Sequence, residues 1–128
     1  MSMHHGFQEL LVWRQAMNLA RDCYFLTKNL PKEDLYGLTS QIRRAAISVP
    51  ANIAEGNGRK TRKDYVNFLR IAQGSLREVQ TYLLFVVETR LIEQEMTEPV
   101  LLQVESVARL LNRLIQALES PPPYPLTP

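Results

Sequence analysis

Apolar residues recur in steps of three and four along four stretches of the chain, and strict alternation never runs beyond a few residues. The first stretch runs from about Phe7 to Leu30, with Leu10, Trp13, Ala16/Met17, Ala20, Cys23/Tyr24, Thr27 and Leu30 on one face and Pro31 as its stop. The second, from about Glu33 to Glu55, carries Leu35, Leu38, Ile42, Ala45/Ala46, Val49 and Ile53. Pro50 lies inside it, yet the apolar register continues to Ile53, which predicts one kinked helix rather than two. Gly56 is the expected C-terminal stop.

The third stretch opens on "TRKD", where Thr61 can cap the amide three residues on and Asp64 suits the positive end of a helix. Tyr65, Phe68/Leu69, Ala72, Leu76, Val79, Leu83 and Val86 form its stripe, and it should end near Arg90. The fourth is expected from about Thr97, with Pro99 in its first turn, and carries Leu101, Val104, Val107/Ala108, Leu111, Leu114/Ile115 and Leu118. Four long helices with short links predict an all-α fold, an up-and-down antiparallel four-helix bundle over residues 7–119. Residues 1–6 are expected to be a disordered N-terminus. Residues 120–128, with five prolines in "SPPPYPLTP", are expected to be an extended tail.

Composition changes this picture little. The 128 residues suit one domain, 45% hydrophobic and 22% charged, which can bury a core without a disulfide or metal. The single cysteine, Cys23, permits no intrachain disulfide and suits a reducing cytoplasm. The N-terminus lacks the apolar core of a signal peptide, and the longest apolar run, "YLLFVV", is far short of a membrane span. His4 and His5 stand side by side at a terminus, where such a pair is ordinarily incidental, so no metal is expected. The formal net charge is only +2, so an anionic partner would have to be drawn by local clustering.

That clustering centres on "VPANIAEGNGRKTRKDY", Val49 to Tyr65. The stretch is not a phosphate loop of the G-x-x-x-x-G-K-[ST] kind, nor a G-x-G-x-x-G fingerprint, and no strand precedes it. Nucleophilic catalysis has no support either. Cys23 lies on a core face, and Ser48 and Ser75 have no general base beside them. No Glu-x-x-His pair marks a metal-binding bundle. The expectation is a protein that is not an enzyme and needs no cofactor.

Charge remains. Between Gln41 and Arg70 there are seven basic residues (Arg43, Arg44, Arg59, Lys60, Arg62, Lys63, Arg70) and two acidic ones. Lys63, Arg70 and Arg77 recur every seven residues on the third helix, about 145° from the centre of its core stripe. With Arg59, Lys60 and Arg62 beside the N-terminus of that helix, they form a surface able to hold phosphates. No aromatic residue stands among these positions on the outward face, which favours phosphate contact over base stacking. A solvated face with a basic corner is the plain alternative. A second stripe, Arg44, Ser48, Asn52 and Glu55, is polar. It reads either as an exposed face or as a network between subunits, with Asn52 and Glu55 able to pin the helix end.

"VWRQA", "LPKEDLYGLTSQIRRAAISVPANIAEGNGR" and "YVNFLRIAQGSLRE" together resemble a known family. It comprises the bundle proteins encoded in intervening sequences of bacterial 23S rRNA genes, also called S23 ribosomal proteins, a name that reflects gene location. The resemblance spans about Phe7 to Leu118. It implies an up-and-down helical bundle, assembled as a homopentameric barrel, with no assigned enzymatic activity. It extends distantly to the accessory protein of diversity-generating retroelements, which binds nucleic acid and a reverse transcriptase through a basic pentamer surface. The positions that carry over are Arg43, Arg44, Asn52, Glu55, Gly56, Gly58 and Arg59, with Pro50 inside the same motif. The expected function is therefore a small oligomeric protein of the bacterial cytoplasm that binds RNA or DNA, or assists a nucleic-acid-processing protein. The alternative is a protein-binding scaffold with no nucleic-acid role.

Overall fold

In a computed structural model, residues 6–120 are described. The residues before and after them lie outside the description, and with them His4, His5 and the tail from Pro121 onward. Gly6, expected to belong to a disordered end, opens a short 3-10 turn, Gly6–Glu9. Four helices follow: α1 Leu11–Leu26, α2 Ser40–Asn57, α3 Arg62–Thr89 and α4 Gln94–Glu119, with no strand among the described residues. Each helix packs on two neighbours in a closed cycle, α1 and α3 each lying against α2 and α4.

Side-chain hydrogen bonds give the directions. Gln103 and Ser106 of α4 donate to Asp22 and Gln15 of α1, so rising numbers meet falling ones. Tyr82 and Ser75 of α3 meet Gln41 and Ser48 of α2 in the same antiparallel sense. Arg70 and Gln73 of α3 reach Glu119 and Asn112 of α4. The links that make this possible are short, Gly58–Thr61 between α2 and α3 and Arg90–Glu93 between α3 and α4. One end of the bundle thus gathers the start of α1, the end of α2, the start of α3 and the end of α4. There Trp13 packs edge-on to Phe7, their ring centres 5.2 Å apart, with Arg14 5.0 Å from the indole.

The core is continuous and apolar. Leu19, Ile42, Val49, Ile53, Leu69, Leu83, Val104 and Leu111 are completely buried. Cys23 belongs to it, and burial, helped by the nearby Asp22 carboxylate, pushes its thiol up to about 12.

Several expectations need correction. The buried face of α1 includes Val12, Leu19 and Leu26, whereas Trp13 and Met17 are half-buried and Tyr24 is 47% exposed. The expected stripe holds at Ala16, Ala20, Cys23, Thr27 and Leu30, all buried, but it misses Val12, Leu19 and Leu26 on a helix that is apolar over more than one face. The second segment does not begin as an α-helix at Glu33. A 3-10 turn, Lys32–Asp34, leads into a π-helical turn, Leu35–Thr39, in which Gly37 has non-helical angles (φ −113°, ψ −106°). This turn leaves Leu35 exposed and Tyr36 94% exposed, so Leu35 is not a core residue. α2 runs unbroken through Pro50, which is buried with Val49 and Ile53.

Gly56 does not stop α2. The helix continues to Asn57, and Gly58 follows as its cap, its N–H within reach of the carbonyls of Ala54, Glu55 and Gly56. The glycine at 56 is required by a close approach instead. A Cβ there would meet the Cβ of Phe68 at 2.9 Å and the carbonyl oxygen of Tyr65 at 3.1 Å. α3 starts as expected, with Thr61 Oγ1 accepting from the Asp64 amide at 3.1 Å. It ends on Arg90, whose left-handed φ of 57° closes the helix where glycine is the common choice. α4 starts at Gln94, earlier than expected, so Pro99 falls in its second turn; Thr97 is buried and its hydroxyl donates to the Glu93 carbonyl at 3.1 Å.

Gly56→Ala should destabilise the fold by about 1–3 kcal/mol, because neither Phe68 Cβ nor backbone can yield cheaply. Gly74→Ala, also inside a helix but with open space around its Cβ position, should stabilise it by about 1 kcal/mol. Urea denaturation of the two variants measures both; equal effects would refute the packing argument. The raised thiol pKa of Cys23 has a sign as well. The unfolded thiol ionises from about 9.0 while the folded one stays neutral, so this contribution to stability is full below pH 9 and is lost as pH rises towards 12. A thiol reagent at pH 8 should modify Cys23 only after denaturation.

Candidate nucleic-acid interface

The link between α2 and α3 is held from three sides. Asn57 Nδ2 donates to the Tyr65 hydroxyl at 3.1 Å. Arg59 lays its guanidinium 4.6 Å from the centre of the Phe68 ring and pairs with Glu55 at 3.6 Å. Thr61 caps α3. A short loop fixed at both ends leaves its remaining side chains little choice but to point outward. Lys60, Arg62 and Lys63 are exposed and make no ion pair with any described residue. They stand at the positive end of a 28-residue helix.

The eight basic positions singled out in the sequence divide into groups with different work. Lys60, Arg62 and Lys63 are free of ion pairs among the described residues. Arg59 is at the same corner but occupied by Glu55 and by Phe68, a ring of the core-side stripe that reaches the corner from beneath the outward face. That ring is half-buried and its face is taken by Arg59, which leaves no open platform for a base. Arg70 lies one stretch along α3, where its Nη2 meets Glu119 Oε2 at 3.1 Å and its Nη1 meets Gln73. Between them a shallow groove is lined by Arg62, Lys63, Asn67, Arg70 and Glu119. Arg77 is exposed farther on and donates to Gln80 at 2.8 Å.

Arg43 and Arg44 do not belong with this corner. About 20 Å of α2 separates Arg44 from the loop. Arg43 faces α1: its Nε donates to Thr27 Oγ1 at 2.8 Å, its Nη2 to the Tyr24 carbonyl at 3.3 Å, and its guanidinium lies 4.1 Å from the Tyr24 ring centre. With the Thr27 hydroxyl, which donates to the same Tyr24 carbonyl at 2.9 Å, it ties the last turn of α1 to α2. Arg44 is exposed and free of ion pairs among the described residues.

The polar stripe of α2 is also spent largely within the chain. Asn52 Nδ2 donates to the Ser48 carbonyl at 2.8 Å and to its hydroxyl at 2.9 Å, and the Ser48 hydroxyl shares a hydrogen bond of 2.9 Å with Ser75. Asn52 thus braces the middle of α2 against α3 and does not pin the helix end. Glu55 does act at that end, through Arg59. Sequence reading missed Asn57, Tyr65 and Phe68 as the residues that shape the corner. The one signal was an asparagine between two glycines, followed by an aromatic at the start of the next helix.

The site thus combines a basic bundle end with a hydroxyl pair, Ser48 and Ser75, that hydrogen-bond to each other across α2 and α3. The chain belongs to the family of 23S rRNA-intervening sequence proteins, whose pattern matches residues 8–113. Among solved structures it is similar to a protein of unknown function from the S23 ribosomal protein family of Bacteroides thetaiotaomicron. The two share 25% identity and a TM-score of 0.75, over 83% of this chain and 99% of that one. No curated protein matches the chain. The family recognised from the motifs is thus the family of the protein. No helix among the described residues is long and apolar enough to cross a membrane.

Arg43→Met should cost about 1–2 kcal/mol, since it removes two hydrogen bonds and a cation–π contact between helices. Lys60→Ala and Arg62→Ala should each stay within about 0.5 kcal/mol. Thermal denaturation at one pH and salt concentration separates the structural arginine from the free cations.

Proposed function

We propose that this protein is a non-enzymatic, homo-oligomeric nucleic-acid-binding protein of the cytoplasm, which grips RNA by its phosphates at the end of the bundle. The observation that carries the reading is the set of three unpaired cations, Lys60, Arg62 and Lys63, on a loop braced at both ends. Because the loop is preorganised, little conformational freedom is lost when phosphates bind. The positive end of α3 adds to the attraction. Nothing at this corner offers a base-edge code, so binding rests on backbone charge with little sequence preference. An oligomer, pentameric in the family's manner, would repeat the corner and raise the effective concentration of weak contacts. No reaction and no cofactor is assigned. The buried, neutral Cys23 and the mutual hydrogen bond of Ser48 and Ser75 support that choice.

A second reading, a scaffold that binds protein, is favoured by one observation. Tyr24, Leu35, Tyr36 and Ile47 expose apolar surface on the α1/α2 side of the bundle.

Fluorescence titration with single-stranded and duplex RNA at several salt concentrations tests the first reading. The affinity of the wild-type protein should fall with salt, with a log–log slope of about 0.7 per phosphate on single strands. Lys60→Ala/Arg62→Ala/Lys63→Ala should weaken binding to every sequence and flatten the slope, with folding intact. Absence of binding at low salt, or an unchanged triple variant, would leave the scaffold reading in front.

A further inference from the structure

The outward side of α1 and α2 carries an apolar groove with a basic rim. Met17, Tyr24 and Ile47 line one part, and Leu35 and Tyr36 extend it along the π-helical turn. Ile47 is 51% exposed and Tyr36 94%, so water covers what elsewhere in the chain is packed. The cations are held in place on this apolar floor. Arg43 lies over Tyr24, and Lys28 stands 5.4 Å and 5.1 Å from the ring centres of Tyr24 and Phe25. Arg44 lines the same groove.

The outer face of α4 has the opposite character. Glu95, Glu98, Leu102 and Glu105, at spacings of three, four and three, share one side of the helix and are all exposed. Leu102 is 61% exposed. α4 carries no basic residue before Arg109, and these carboxylates make no ion pair with a described residue. The span from Glu95 to Glu105 is about 15 Å of helix, and that from Met17 on α1 to Lys28 in the 3-10 turn Thr27–Asn29 that follows it about 17 Å.

Resting on the reading of the protein as a homo-oligomer, we propose that the acidic face of α4 in one copy docks in the basic, apolar groove between α1 and α2 of the next. Leu102 enters the groove beside Ile47 and Tyr24, and Glu98 and Glu105 meet the cations on its rim. This is the helix-in-groove mode, with charge complementarity setting partner and register. One chain cannot satisfy itself this way, because its own α4 packs against α1 from the other flank. The two surfaces are different, so the contact runs head to tail and each copy offers one of each. Neither surface includes Lys60, Arg62 or Lys63, so the basic corner stays open in every copy.

Two variants test this, each with exposed substitutions only: Glu98→Arg/Leu102→Arg on α4, and Arg44→Glu/Ile47→Glu in the groove. Circular dichroism checks their folding, and light scattering reads their mass. The wild-type protein should have several times the chain mass of 14.7 kDa, and each variant alone should be monomeric. An equal mixture should then give a dimer, because the intact α4 of one variant meets the intact groove of the other and the remaining surfaces cannot extend the chain. If a variant fails to fold, a chain combining Glu98→Arg and Glu105→Arg with Lys28→Glu and Arg44→Glu should recover the oligomer by charge exchange, and failure of that folded chain to assemble refutes the pairing. A monomeric wild type would overturn the oligomer reading itself. An oligomeric wild type whose folded variants remain oligomeric, or whose monomeric variants do not combine, would overturn these surfaces alone.

Discussion

The approach of α2 to α3 at Gly56 is the constraint on which the rest of the molecule depends. No side chain separates the helices there, since a Cβ would sit 2.9 Å from that of Phe68. With the two backbones so near, Ser48 and Ser75 can share one hydrogen bond farther along the same seam. The same closeness delivers Tyr65 to Asn57 and Phe68 to Arg59. The loop is therefore shaped by a contact inside the bundle, and its free cations are consequences of that packing. α1 and α4 then close the other sides with ordinary apolar burial, helped by Arg43 across α1/α2 and Arg70 across α3/α4.

Much of the fold was legible in the sequence where one physical signal stood alone. α3 has a clean stripe and a capping threonine, and it was read to within a residue or two at each end. α1 was harder. Ala16, Ala20 and Cys23 bury as their spacing implied, but Val12, Leu19 and Leu26 bury beside them, so periodicity located the inner face without its full width. The glycines misled for a related reason: a stop and a close approach look alike in one dimension. Gly56 serves a neighbour that lies twelve residues away in Phe68, and Gly58 is the position that ends the helix. Gly37 marked a distortion that let the chain enter α2 through a π turn.

The candidate site was legible as composition and illegible as a set of working charges. Whether a cation is free depends on partners remote in sequence. Arg70 is claimed by Glu119 and Arg43 by Thr27, and no local pattern announces either. Removing the claimed residues from the original basic set leaves a smaller, sharper group at one end of the bundle. The surfaces differ in chemistry, with bare charge at the corner and an apolar floor with a charged rim along the side.

Trp13 gives the protein an optical consequence. It is the only tryptophan of the chain, half-buried at the bundle end that also holds the start of α3. Its ring meets Phe7 on one side and Arg14 on another, so its surroundings mix a cation with an apolar contact. The intrinsic emission of the protein therefore comes from a single indole in a defined place. Excitation at the red edge of its absorption would watch this end of the bundle alone, with no dye attached and no residue exchanged.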